Sequence, residues 1–117
     1  MDDVLLHRID LLLKHCDEVI DDTKGKSVEE FSTSNLQVRA TCFSIVQIGE
    51  QLRVLKNKIG NMFPNVPWDE SVSMRNFVVH DYSRVDIAQV YKVAVEDIPP
   101  LKDIFVDIKN TIFNGTC

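Results

Sequence analysis

The chain has 117 residues, 44% of them hydrophobic and 26% charged, which are the proportions and the length of one globular domain. Thirteen basic and eighteen acidic residues give a net charge of −5. This charge argues against a broad, non-specific nucleic-acid surface, although it permits a local basic cleft. The three cysteines lack CxxC or Cys/His spacing, which argues against a disulfide framework and a zinc site.

The first half of the chain predicts two long amphipathic helices joined by a short helical turn. Residues 2–22 repeat apolar side chains at intervals of three and four, which is the period of a half-buried helix. Ser27 and Glu30 have the spacing of a capping box, which predicts the short turn. Residues 32–35 offer several N-caps for a helix over residues 35–59. The apolar positions of that helix are Leu36, Phe43, Val46, Ile48, Leu52, Leu55 and Ile59.

The second half predicts three shorter helices. One follows the prolines of the 60–67 loop and covers residues 68–80, and a second begins after Asp86, which can cap it, and reaches residue 97. Pro99 and Pro100 predict a break or kink at Ile98 and a last helix over residues 100–113, because proline is not tolerated inside a helix. No segment alternates like a strand. We therefore expect a single all-α domain over residues 1–117, an up-and-down bundle of four to five helices.

The candidate chemistry lies in residues 74–82, where a cation, an amide, an imidazole and a phenol follow one another. Asn76 and His80 are four residues apart and share a helix face, with Arg75 about 100° round from Asn76. Arginine can fork onto a phosphate, and histidine can move a proton near neutral pH. Tyr82 follows the expected helix end. Without a carboxylate cluster, the predicted chemistry needs no metal and no cofactor. A capping histidine and a salt-bridged arginine remain the plainer interpretation of these residues.

Other polar residues carry weaker indications. Arg53, Lys56 and Lys58 make the end of the second long helix basic, either as a solvated end that suits the helix dipole or as a rim for RNA or a partner. In the second interpretation Arg53 is a candidate RNA contact. His7 and His15 lie two turns apart without a third ligand, and we expect both to be solvated.

Three further residues are predicted to be structural. Trp68 is expected to anchor the core. Cys16 and Cys42 lie within apolar helical patterns and should be inert.

The acidic N-terminus does not resemble a signal peptide, and no apolar stretch approaches the roughly 20 residues of a membrane span. These observations predict a cytoplasmic protein that does not enter a membrane.

The run RNFVVHDY at residues 75–82 resembles the R-N-x-x-x-H-x-Y signature of HEPN domains. Four further segments resemble the HepT branch of this family: IGE at 48–50, FPNVPW at 63–68, VDI at 85–87 and EDIP at 96–99. The resemblance covers about residues 5–113. It implies an all-α bundle that forms a homodimer, in which two Arg–His motifs share a cleft and cleave RNA without metal. It also implies a toxin whose antitoxin is a minimal nucleotidyltransferase that transfers AMP from ATP onto the motif tyrosine.

Carried onto this sequence, the resemblance makes Arg75 and His80 the catalytic pair and Asn76 a supporting residue. Tyr82 becomes the acceptor of AMP. Glu50 matches a family feature to which we assign only structural support.

Two alternatives to the ribonuclease stay open. One is a non-catalytic helical subunit that binds a nucleotide or the nucleotidyltransferase, which the net charge of −5 favours mildly. The other is a helical scaffold without a site. The presence of Arg75, His80 and Tyr82 together favours the ribonuclease, because a binding module does not need all three.

Overall fold

The computed structural model describes residues 3–79 and 86–113, and the side chains of these residues except 75–79. The helices are α1 (Asp3–Thr23), α2 (Val28–Ser32), α3 (Asn35–Ile59), α4 (Glu70–Val79), α5 (Ile87–Lys92) and α6 (Ile98–Phe113), and a π-helical segment (Val93–Asp97) joins α5 to α6. The described residues contain no strand. The prediction of an all-α bundle is confirmed. None of the described helices is long and apolar enough to cross a membrane.

The long helices α1 and α3 form the centre of the bundle. They pack against each other along most of their length, while α4 covers α3 and α6 covers α1. The inward residues of α1 recur every three or four positions and are almost completely buried, as the sequence predicts: Leu5, Ile9, Leu12, Cys16 and Val19. From α3 the core receives Val38, Cys42, Ile45, Ile48, Leu52, Leu55 and Ile59.

Two apolar residues of α3 contradict the predicted core. Leu36 is 71% exposed and Phe43 is 55% exposed. At 100° per residue both lie roughly 180° round the helix from Ile45 and Leu52, which are fully buried. The two residues therefore belong to the outer side of α3.

The predicted helix starts are confirmed by their caps. The Ser27 hydroxyl accepts the Glu30 N–H at 3.1 Å, and Glu30 Oε1 accepts the Ser27 N–H at 3.0 Å, which completes the capping box of α2. The Ser34 hydroxyl accepts the Gln37 N–H at 3.2 Å at the start of α3. Asp86 caps α5 in the same way.

Of the break or kink predicted at Ile98, the break is wrong. The helical run continues from α5 through the π-helical segment into α6. The Ile98 N–H donates to the Val93 carbonyl, five residues back. Pro99 and Pro100 are the second and third residues of α6 and follow the π-helical segment directly. A widened turn thus accommodates the two prolines without ending the helix.

Candidate functional site

The backbone of α4 carries the first part of the predicted site. Trp68 precedes this helix and is 6% exposed, so the predicted anchor is confirmed. Its Nε1 donates a hydrogen bond to the Phe63 carbonyl at 2.9 Å. Its ring packs edge-to-face with the Phe105 ring, and the two ring centroids are 5.8 Å apart. Within α4, Ser71 and Met74 are buried. The start of the helix is therefore held firmly in the core.

The predicted catalytic residues are described only in part. Arg75 and Asn76 lie within α4, but their side chains are outside the described part of the structure. His80 and Tyr82 lie outside the described residues altogether. The pairing of Arg75 with His80, and the roles of Asn76 and Tyr82, stay predictions.

The direction of α4 follows from its contacts. Lys56 Nζ, near the end of α3, lies 3.6 Å from Asp69 Oδ1, just before α4 begins. Because α4 also packs extensively on α3, it runs back along α3 in the opposite direction. The residues before His80 therefore approach the middle of α3.

Arg53 is exposed, as the sequence predicts, but it is paired. Its Nε and Nη2 both donate to Glu50 Oε1, at 3.0 and 2.5 Å. These hydrogen bonds and the charge of Glu50 raise the pKa of Arg53. Glu50 thus orients the guanidinium, a role that its i, i+3 spacing from Arg53 could have indicated. Any RNA phosphate that binds Arg53 must share it with this carboxylate or displace the carboxylate.

The rest of the basic end of α3 is also exposed. Lys56 and Lys58 both face solvent. Lys56 is partly neutralised by Asp69. The positive rim predicted from sequence is therefore present on the surface, with two of its three cations next to carboxylates.

The two histidines of α1 differ. His7 is exposed as predicted. The prediction that His15 is solvated is wrong, since its side chain is only 14% exposed and its Nδ1 lies 2.7 Å from Glu18 Oε1. The rings of His15 and Phe43 pack edge-to-face, with their centroids 6.4 Å apart. His15 lies on the flank of α1 that faces α3, which accounts for its burial.

The two described cysteines are buried and free. Burial, with a smaller contribution from the charge of Asp17, raises the pKa of Cys16 to about 12, and burial also raises the pKa of Cys42. Thiols with such pKa values form almost no thiolate at neutral pH and are poor nucleophiles. This agrees with the expectation that both are inert. Among the described residues, no group of three His, Cys, Asp or Glu could hold a metal ion.

A cavity of about 260 Å³ lies at the base of α4 and is lined by Glu70, Ser73, Met74, Gln89, Val93 and Asp97. Burial, and to a lesser degree the charge of Asp97, raises the pKa of Glu70. Sequence reasoning did not single out this carboxylate pair, because its members are 27 residues apart along the chain. The pair makes the start of α4 acidic.

This helical bundle, whose sequence has an Arg-x₄-His run at residues 75–80, has relatives among known proteins. The family model for HepT-like ribonucleases ("Ribonuclease HepT-like") matches residues 12–108. A protein of Methanocaldococcus jannaschii with the name "Putative RNase" is 34% identical over 91 residues, covering 78% of this chain and 84% of its own length. No solved structure matches the chain.

Two further relatives come from other organisms. A "Putative RNase" of Caldanaerobacter subterraneus is 30% identical over 91 residues, covering 78% of this chain and 81% of its own length. The "Probable ribonuclease HepT" of Thermococcus cleftensis is 32% identical over 75 residues, covering 61% of this chain and 68% of its own length. The chain belongs to the HepT-like ribonuclease family.

Proposed function

We propose that this protein is a metal-independent endoribonuclease, the toxin of a toxin–antitoxin pair whose antitoxin is a minimal nucleotidyltransferase. The observation that carries the proposal is the match of the ribonuclease family model to residues 12–108, a range that includes Arg75, Asn76, His80 and Tyr82. The cytoplasm, where RNA and a nucleotidyltransferase are both available, is the expected location.

The proposed reaction is a phosphoryl transfer within the RNA chain. The 2′-oxygen attacks the adjacent phosphorus, a P–O2′ bond forms and the P–O5′ bond breaks. One proton leaves the 2′-hydroxyl and another reaches the departing 5′-oxygen. His80 serves one of these proton transfers, since imidazole titrates near neutral pH. Arg75 holds the phosphate and stabilises the charge that develops on it, and Asn76 positions the scissile group.

The two proton transfers explain why we infer a homodimer. A base and an acid are both needed, and one chain offers a single His80 in the motif. A two-fold axis presents the same residues twice, because each partner contributes the same surface. Two copies would supply both histidines and two Arg75 side chains to one cleft.

Arg53 is proposed as an RNA contact outside the cleft. Its side chain is 47% exposed, and the helix that carries it packs directly against α4. Its Glu50 partner keeps the guanidinium oriented when RNA is absent. Exchange of Glu50 for a phosphate would replace one charge-assisted pair by another.

Tyr82 is the proposed point of control. Its phenolic oxygen would attack the α-phosphorus of ATP, form a P–O bond and release pyrophosphate, with loss of the phenolic proton. The product carries a bulky nucleotide and one negative charge two residues from His80. By the electrostatics that apply to phosphorylation, this charge should repel RNA.

The test compares wild type with His80→Ala and Tyr82→Phe, expressed with and without the nucleotidyltransferase. Purified wild type should cleave RNA in the presence of EDTA. His80→Ala should lose about 10²–10⁴-fold in rate, the usual contribution of an acid–base residue. His7→Ala, an exposed histidine on α1, is the matched control and should keep full activity. Wild type without activity, or His80→Ala with undiminished activity, contradicts the nuclease.

Intact-mass measurement tests the regulation. Co-expressed wild type should gain the mass of AMP and lose activity, while Tyr82→Phe should gain nothing. Added AMP on Tyr82→Phe would reject Tyr82 as the acceptor.

The second candidate function is a non-catalytic subunit of a nucleotidyltransferase complex. The pairing of Arg53 with Glu50 and of Lys56 with Asp69 favours it, because both cations are partly neutralised before any RNA arrives. This candidate predicts a stable complex with the nucleotidyltransferase and no RNA cleavage by any variant.

A further inference from the structure

Two of the three cations at the end of α3 are held by carboxylates. Arg53 Nε and Nη2 both donate to Glu50 Oε1, at 3.0 and 2.5 Å. Lys56 Nζ lies 3.6 Å from Asp69 Oδ1. The two positive and the two negative charges cancel, and the chain as a whole has a net charge of −5. This surface therefore exerts little long-range attraction on RNA.

The two ion pairs lie on one side of α3. Arg53 and Lys56 are three residues apart, about 60° from each other round the helix. α4 begins beside Lys56 and packs along α3, so both cations border the helix that contains Arg75. Lys58 is also exposed, but it lies about 200° round α3 from Lys56. Within the described part of the chain Lys58 has no carboxylate partner. Neutralisation is thus limited to the cations beside α4.

Both ion pairs can be exchanged at small cost. A large part of each of the four side chains is exposed to solvent. Exposed ion pairs contribute little to stability, because water and salt screen them. The separation of 3.6 Å between Lys56 and Asp69 is also longer than a good hydrogen bond. An RNA phosphate can therefore replace either carboxylate, provided that its local concentration is high.

A strand that is already bound at the motif supplies this concentration. α4 extends about 15 Å from its start beside Lys56 to its end at Val79. RNA that leaves the motif end of α4 covers this length with about four stacked nucleotides, at about 3.4 Å each. Its next phosphates are then tethered near Arg53 and Lys56 at a roughly millimolar effective concentration. RNA that is free in solution has no such advantage.

We propose that Glu50 and Asp69 are charge masks, which neutralise Arg53 and Lys56 in the free protein and release them to RNA phosphates once the strand is held in the cleft. The masks lower the affinity for RNA that does not fit the cleft, whereas a fitting strand gains two phosphate contacts. Both carboxylates act on specificity through the cations that they hold. The inference rests on the proposed ribonuclease function and adds a control over which RNA stays bound.

The first experiment measures RNA binding by variants that keep the shape of each mask and remove its charge. All of them contain His80→Ala, so that the RNA stays intact, and the probe is single-stranded RNA of random sequence. Glu50→Gln and Asp69→Asn should each bind this RNA more tightly than the reference. Each should also steepen the plot of log K against log salt concentration by about 0.7, the value of one added phosphate contact on a single strand.

Asp21→Asn is the matched control, because it changes the net charge by the same amount. Asp21 is exposed near the end of α1. Its neighbour Asp22 accepts the Thr41 hydroxyl at 3.1 Å, and Thr41 precedes Arg53 by about 18 Å along α3, at 1.5 Å per residue. Salt screens charges over such a distance. The control should therefore leave the slope of the salt plot unchanged.

The second experiment asks whether each mask acts through its cation. Arg53→Gln should abolish the gain in RNA affinity of Glu50→Gln, and Lys56→Gln should abolish the gain of Asp69→Asn. Lys58→Gln removes the same charge from another side of α3 and should leave both gains in place. A merely structural role of the carboxylates predicts gains that survive loss of the cations. Circular dichroism should show every variant folded, since asparagine also caps helices.

The outcomes separate the masks from the proposed function. An unchanged affinity and slope for both mask variants overturns the inference, as does an equal effect of Asp21→Asn or a gain that survives Arg53→Gln. If wild type cleaves RNA while the mask variants bind it no more tightly, the masks are contradicted and the nuclease is supported. Tighter binding by the mask variants, together with no cleavage by wild type, supports the masks and contradicts the nuclease.

Discussion

The outer ridges of α1 and α3 have the same spacing and opposite chemistry. On α1 the outermost positions are exposed and polar: Asp3, His7, Asp10, Lys14, Asp17 and Asp21. On α3 the outer side carries exposed Leu36, Ala40 and Phe43, with exposed Arg39 beside them. Both helices bury an inner face of aliphatic residues and cysteine. Apolar periodicity therefore identifies a buried face only when the opposite face is polar.

The largest expected effect tests whether the inner faces are equivalent. Leu12→Ala in α1 and Ile45→Ala in α3 each remove a fully buried side chain, and each should lower the free energy of unfolding by about 2–5 kcal/mol. Urea denaturation followed by circular dichroism measures the loss. A loss below 1 kcal/mol for either variant would show that the two inner faces are not equivalent.

A smaller effect is expected at the start of α3. Ser34→Ala removes the hydroxyl that accepts the Gln37 N–H and should cost about 1 kcal/mol. Ser34→Asp should keep most of the stability, since aspartate also caps helices. The same denaturation assay measures both. If the aspartate variant is as unstable as the alanine variant, the hydrogen bond to Gln37 is not the stabilising contact.

The smallest effect concerns the ridge of α1. His7→Leu introduces an apolar residue on that polar surface, and it should change the free energy of unfolding by no more than about 0.5 kcal/mol. The mass in solution should also remain that of wild type. Association driven by this one residue would mean that any exposed leucine on this bundle promotes oligomers, and the contrast between α1 and α3 would lose its meaning.

Much of the fold is predictable from local signals. The start of α2 is specified by Ser27 and Glu30, and α3 spans the predicted residues 35–59, because capping and periodicity act within one or two turns. The exposure of Leu36 and Phe43 is not predictable in this way, since apolar residues at helical spacing occur on exposed faces as well as on buried ones. Proline gives a similar ambiguity, because Pro99 and Pro100 permit either a break or a widened turn.

The sequence identifies residues of the candidate site more readily than it predicts their arrangement in space. Arg75 and His80 can be singled out by residue type and spacing, and their membership of the matched family range supports the choice. The pairing of Arg53 with Glu50 is local and could have been anticipated from the i, i+3 spacing. Glu70 and Asp97 line one cavity although they are far apart in the chain, and no local sequence pattern encodes that arrangement.

The π-helical segment Val93–Asp97 has a consequence for the architecture. One additional residue in a turn rotates everything that follows by about 100° relative to an uninterrupted α-helix. Before the segment, α5 packs against α2 and α3, and after it α6 packs against α1. The widened turn thus rotates the buried face of the continuous helical run, so that its first part packs against α2 and α3 and its last part against α1.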